Sequence, residues 1–281
     1  MKPKFAFKTP EGKAAVHRFY ESLLEHWPTP NDKFFVPTRY GGTFVIASGE
    51  RSAPPLILLH GSAMNSVMWA GDAPRFAGHF RVYAVDLPGE PGKSDDRQLP
   101  FQGPDLALWL SDVFDALAIR KASLAGISLG AWLAVKFAMQ HPQKVDKLAL
   151  LSPAGIGAQK LSFLVTSAVF RLLGDNMKQK LLSRVNGSQA MPEVILQYQR
   201  LIDENFNYRR EILPLFGDKE LKKLTMPVLV FAGENDTMIH SAQTVRRLQR
   251  LLPHASAHLV PGGSHALIHL GGEIHAFLTA P

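Results

Sequence analysis

The chain reads as an α/β protein with a mostly parallel sheet flanked by helices. Three observations carry that expectation. Short apolar runs of strand length alternate with helix-length segments. One helical block, residues 157–222, interrupts the alternation. Glycine-rich turns follow several of the strands and carry Ser, Asp and His, the residue types that do chemistry at sheet edges.

The elements follow in order. Glu11–Trp27 is amphipathic, with Val16, Phe19, Tyr20, Leu23, Leu24 and Trp27 at helical spacing, and Pro28 and Pro30 end it. Phe34–Tyr40 and Thr43–Ala47 read as a hairpin joined by Gly41-Gly42. Leu56–Leu59, Val82–Val85, Ala122–Gly126 and Leu148–Leu151 are apolar throughout, the pattern of strands buried on both faces. The segments Val67–Ala77, Asp105–Leu117 and Leu129–Gln140 between them are expected to be helices. The last is apolar almost all round and so should be central. After residues 157–222 the alternation resumes with a strand at Val228–Ala232, a helix at Ser241–Leu252, a strand at Ala257–Val260 and a helix from His265 to Leu278. The expected organisation is an N-terminal helical extension over 1–32, an α/β core over 33–156 and 223–281, and a helical insertion over 157–222.

Composition removes several function classes. With 281 residues, 46% hydrophobic and 20% charged, the chain is globular rather than disordered. It has no cysteine, which excludes disulfides, a thiolate nucleophile and cysteine-ligated metal. A net charge of +7 is spread along the chain, which argues against a nucleic-acid partner. The longest apolar stretch, Leu161–Phe170, is far short of a membrane span and is broken by Arg171. No apolar core follows the basic first residues, so a secretory signal is not expected and a cytoplasmic location is.

The strongest chemical signal is Gly126-Ile127-Ser128-Leu129-Gly130, set between an expected strand and an expected helix. A serine at such a tight turn needs small neighbours, which Gly126 and Gly130 supply, and its hydroxyl stands at a helix N-terminus. A hydroxyl is a weak nucleophile without a base, and the base needs an orienting group. His265, in Pro261-Gly-Gly-Ser-His265 after the last strand, is the candidate base. Asp236, in Gly233-Glu-Asn-Asp236, is the candidate orienter, with Glu234 as the competing acid. Backbone amides should form the oxyanion hole. One is that of Leu129. The other comes from His60-Gly61-Ser62-Ala63-Met64-Asn65, with Ser62 first and Ala63 second, while Gly61 leaves room for substrate and His60 braces the loop.

Together His60-Gly61, Asp86-Leu-Pro-Gly89, Gly126-Ile-Ser-Leu-Gly130, Gly233-x-x-Asp236 and Gly263-Ser-His265 resemble the α/β-hydrolase family from about Tyr40 to Leu278. The resemblance implies the α/β-hydrolase fold, a triad of Ser128, Asp236 and His265, oxyanion donors at Ser62 and Leu129, and a helical cap at 157–222. Ser128 sets the chain apart from relatives with an aspartate nucleophile, and Ile127 and Ala266 from ring-cleavage C–C hydrolases. The remaining likeness is to simple carboxylesterases acting on a small-molecule ester with an apolar acyl part, with no cofactor. A lactonase, thioesterase, perhydrolase or ligand receptor on the same scaffold is the alternative.

Other patterns are weighed against plain structural roles. Gly89-Glu-Pro-Gly-Lys93-Ser94 looks like the end of a phosphate-binding loop but has Leu87 where the full motif needs glycine. His265/His269 and His254/His258 lack the rest of a metal motif, so no metal is expected. Asn186-Gly-Ser188 is a sequon by chance. Phe163, Leu164, Val165, Val169, Phe170, Leu172, Leu173, Ile195, Leu196 and Tyr198 either pack the insertion or line an acyl pocket.

Overall fold

A computed structural model describes residues 4–160, 162, 185, 187, 192–209, 211–267 and 269–281. Eight strands form one sheet in the order β1-β2-β4-β3-β5-β6-β7-β8. The strands are β1 Asn31–Thr38, β2 Gly41–Ser48, β3 Pro55–Leu59, β4 Arg81–Val85, β5 Ala122–Ile127, β6 Val145–Leu151, β7 Val228–Gly233 and β8 Ala255–Val260. β1/β2 and β2/β4 pair antiparallel, and every pair from β4/β3 onward is parallel. The expectation of a mostly parallel sheet holds.

Strand alternation sends side chains into two cores. Ile57, Leu59, Leu124, Leu148 and Leu150 join one cluster, while Leu56, Leu58, Ala125, Ala149 and Leu151 join the other. The first face is covered by α3 Asp105–Ala116 and α4 Leu129–Gln140, with Val245 and Leu248 of the helix Ser241–Leu251. The second is covered by α1 Pro10–Glu25, by α2 Ala73–Ala77 and by Ile274 and Leu278 of the last helix. All but the final residue of α4 is buried, as its apolar circumference requires.

α1 begins at Pro10, with Thr9 Oγ1 accepting the Gly12 N–H at 3.0 Å. Its Tyr20 hydroxyl donates to the buried Asp86 carboxylate at 3.0 Å, so the N-terminal helix is tied into the centre of the molecule. From the 157–222 stretch, α5 Glu193–Asn205 packs on α1, with Tyr198 stacked on Phe19 at 5.1 Å. Tyr198 is thus a core residue, and Ile195 and Leu196 are half-buried. The other seven apolar residues singled out in that stretch, and Asn186, lie outside the described residues.

Three local expectations are corrected. The β1–β2 turn is Arg39-Tyr40, because Gly41 pairs with Thr38 and Gly42 with Pro37. Arg39 is held there by Asp112 of α3, which accepts its N–H, Nε and Nη2. Val67–Ala77 is not one helix but a 3-10 turn, Ser66–Trp69, followed by α2. Pro74 has no N–H to give to a helix arriving from Ala70 and instead starts a new one. The last helix begins at Gly271, not His265. The His265 carbonyl is taken by Ser152 Oγ and the Ala266 N–H by the Val185 carbonyl, so this backbone is not free to coil.

Candidate active site

The β5–α4 turn holds Ser128 at φ 52°, ψ −108°, where a residue with a side chain is strained. The two glycines are sterically required. A Cβ on Gly130 would lie 2.1 Å from the Leu59 carbonyl oxygen, and one on Gly126 would lie 2.6 Å from the Gly130 backbone. β3 and α4 therefore press together directly beneath the serine. The Ser128 N–H donates to the Leu151 carbonyl of β6 at 2.9 Å.

His265 comes from the loop after β8 and Asp236 from the turn after β7. The parallel β7/β8 pairing brings the two turns together. Gly233 makes the close approach possible, since a Cβ there would lie 2.1 Å from the Ser264 carbonyl. His265 Nε2 is 2.9 Å from Ser128 Oγ, and His265 Nδ1 is 2.7 Å from Asp236 Oδ2. An ionised carboxylate only accepts, so Nδ1 carries the proton and Nε2 accepts from the Ser128 hydroxyl. The other Asp236 oxygen accepts the N–H groups of Met238 and Ile239 at 2.7 and 3.1 Å. Both Asp236 and His265 are buried. Glu234 is exposed and its Oε2 accepts the Gly262 N–H, so it plays no part in this chain of hydrogen bonds.

The loop after β3 distinguishes its two candidate amides. The Ala63 N–H donates to Glu90 Oε2 at 2.7 Å. Among the described residues, no hydrogen bond engages the Ser62 or Leu129 N–H. A Cβ on Gly61 would lie 3.9 Å from Ser128 Cβ, an ordinary contact, so Gly61 is not demanded by protein packing but leaves open the space beside the serine. His60 is fully buried and braced: Nδ1–H donates to the Gly61 carbonyl and Nε2 accepts the Leu87 N–H, both at 2.8 Å. Burial pushes its pKa down, in keeping with this neutral tautomer.

The Gly89–Ser94 loop spends its donors on the protein. Lys93 N–H and Ser94 Oγ bond to the Asp86 side chain and carbonyl at 2.8 and 2.6 Å, and Lys93 Nζ pairs with Glu21. No phosphate cradle is left there. Among the described residues, no group of three or more His, Asp or Glu side chains could hold a metal. No described helix is long and apolar enough to cross a membrane.

Two supporting residues had no motif to signal them. Ser152, buried and at φ 44°, donates to the His265 carbonyl. Glu90 is buried behind Ala63. Glu90 stands within Gly89–Ser94, but only an acidic residue in an otherwise small and turn-forming loop could have drawn attention to it.

A sequence profile for the alpha/beta hydrolase fold matches residues 54–271. The chain belongs to the alpha/beta-hydrolase family. It is 32% identical over 271 residues to carboxylesterase YbfK of Bacillus subtilis, covering 93% of this chain and 90% of that one. The crystal structure of that carboxylesterase superposes with a TM-score of 0.86 at 30% identity, covering 96% of this chain and 99% of the other. The structure of naproxen esterase (carboxylesterase NP) from B. subtilis gives 0.85 at 27% identity, covering 96% and 98%. The chain is carboxylesterase-like over nearly its whole length.

Proposed function

We propose that this protein is a serine carboxylesterase in which Ser128 is the nucleophile, His265 the general base and acid, and Asp236 its orienting carboxylate. The observation that carries this reading is the pair of hydrogen bonds at 2.9 and 2.7 Å linking the three side chains, with the tautomer they impose. Similarity to two Bacillus carboxylesterases supports the choice of ester as substrate.

Ser128 Oγ attacks the ester carbonyl while its proton passes to His265 Nε2. The carbonyl oxygen becomes an oxyanion, held by the N–H groups of Ser62 and Leu129. The C–O bond to the alcohol then breaks, and His265 gives its proton to the leaving oxygen. Water attacks the acyl-enzyme, losing a proton to His265. Collapse releases the acid and returns the proton to Ser128. Asp236 holds the imidazole and stabilises its cationic form throughout. No cofactor enters. In this reading residues 157–222 form a helical cap over Ser128 and supply the apolar acyl pocket. Such a cap excludes water and sizes the substrate.

The test is turnover of p-nitrophenyl esters from acetyl to palmitoyl, with Ser128→Ala in parallel. Turnover that disappears in the variant establishes the serine esterase, and the chain-length profile sizes the pocket. Turnover that persists in the variant overturns the assignment of the nucleophile. A wild type that turns over no ester yet takes a fluorophosphonate label points to a narrower hydrolase. One that takes no label points to a receptor.

A further inference from the structure

The Gly89–Ser94 loop grips the loop after β3 at two points. Glu90 Oε2 accepts the Ala63 N–H at 2.7 Å, and the Pro91 carbonyl accepts Asn65 Nδ2 at 2.9 Å. Ala63 sits at φ 56°, a conformation that residues with a Cβ seldom adopt and that needs an outside partner to persist. Its neighbour Ser62 carries one of the two proposed oxyanion donors. Glu90 in turn faces Arg209, whose Nε lies 3.4 Å from Glu90 Oε1, with the two side chains 5% and 0% exposed. Arg209 belongs to the 157–222 segment. Its Nη1 donates to the Leu99 carbonyl at 2.6 Å, and its guanidinium lies over the Phe101 ring at 4.5 Å.

A purely structural role is a poor account of this pair. Buried ion pairs contribute little net stability compared with an apolar pair of the same volume. This one is also incompletely bonded, since Glu90 Oε1 and Arg209 Nε have no hydrogen-bond partner among the described residues. The well-made bond is the one to Ala63. Burial pushes the Glu90 carboxyl up to about 7 despite the nearby guanidinium, the signature of a group kept where it costs stability.

We propose that Glu90 is a positioning residue for ester hydrolysis: by accepting the Ala63 N–H it fixes the Ser62 amide as an oxyanion donor, with Arg209 holding Glu90 in place from the 157–222 segment. This rests on the hydrolase reading above. A misplaced donor weakens binding of the tetrahedral state and leaves ground-state ester binding alone, so the loss falls on kcat and not on KM.

The experiment uses the full chain, p-nitrophenyl butyrate as substrate and butylboronic acid as a tetrahedral-state probe. Glu90→Asp keeps the charge but shortens the reach. The double variant Glu90→Leu/Arg209→Met removes both charges at similar volume. Each is expected to lose about 10–100-fold in kcat, with KM little changed and boronate affinity falling in step. Glu90→Gln, which keeps the reach and an acceptor, is expected to recover most of the wild-type kcat. Either of the first two variants retaining wild-type kcat and boronate affinity overturns the proposal, as does a loss confined to KM. Glu90→Asp decides the matter if the double variant does not fold. A wild type that turns over no p-nitrophenyl ester from acetyl to palmitoyl and takes no fluorophosphonate label sinks the hydrolase reading, and the positioning role with it.

Discussion

Ser152 Oγ donates a 2.7 Å hydrogen bond to the main-chain carbonyl of His265, tying the histidine loop to the end of β6. The same strand end accepts the Ser128 N–H through the Leu151 carbonyl. Leu151, the last residue of β6, and Ser152, just after it, therefore hold the backbones of the proposed nucleophile and base. Ser152→Ala leaves a buried carbonyl unpaired, at a cost of about 1–3 kcal/mol in urea unfolding. The loosened loop should lower kcat about tenfold, with the shape of the pH–rate profile unchanged. A variant with wild-type kcat would show that the loop needs no such tie.

Ser128, the proposed nucleophile, is also strained. Ser128→Ala and Ser128→Gly should both lose about 10⁴–10⁶ in ester turnover. They should differ in stability. Glycine accepts φ 52° freely and alanine does not, so Ser128→Gly should be the more stable by about 1 kcal/mol, net of glycine's larger unfolded-state entropy. Denaturant melts of the two purified variants make the comparison. Equal stability would mean that the turn carries no strain.

Asp236→Asn should impair the proposed base without moving it. The oxygen that accepts from Met238 and Ile239 can keep those bonds, which turns the new NH₂ group toward His265 Nδ1. Nδ1 must then accept, the proton moves to Nε2, and Nε2 can no longer take the Ser128 proton. The expected loss is about 10⁴ in kcat with the fold intact. A loss below tenfold would place the orienting role elsewhere.

Glu90 gives a stability slope of defined sign. Its carboxyl ordinarily titrates near 4.5, and burial pushes it up to about 7 in the folded chain. The folded state thus holds the proton more tightly than the unfolded state. The resulting stability is complete below pH 4.5 and is lost as pH rises through 7. Between pH 5 and 8 the wild type should lose up to about 3 kcal/mol from this group. Glu90→Gln should flatten that slope, measured by urea unfolding at both pH values. A slope identical in variant and wild type would mean that Glu90 titrates as an exposed acid does.

Much of the proposed site was legible because it is local. A serine between two glycines at a strand–helix junction is set by short-range sterics, and the structure puts backbone where either glycine's Cβ would stand. The order of Ser128, Asp236 and His265 follows from which strand each turn ends. α4 was readable to the residue because an apolar circumference admits only burial.

Choices among neighbours depended on partners distant in the chain. Asp236, and not Glu234, meets His265: the turn after β7 supplies two N–H groups to one of its oxygens and His265 bonds the other. Of the two candidate amides in the loop after β3, that of Ala63 is taken by Glu90, 27 residues away. The hairpin turns at Arg39-Tyr40 because Asp112, 73 residues on, clamps Arg39. His265 stays in a loop because Ser152 takes its carbonyl. The sequence by itself determined the strand–helix alternation, the strained serine and the order of the three polar residues, since each arises from periodicity or steric exclusion within a few residues. Only the tertiary structure decided which acid meets His265, which amide of the β3 loop is taken by Glu90 and where the hairpin turns, because a hydrogen-bonding group is committed by whatever partner the fold brings to it.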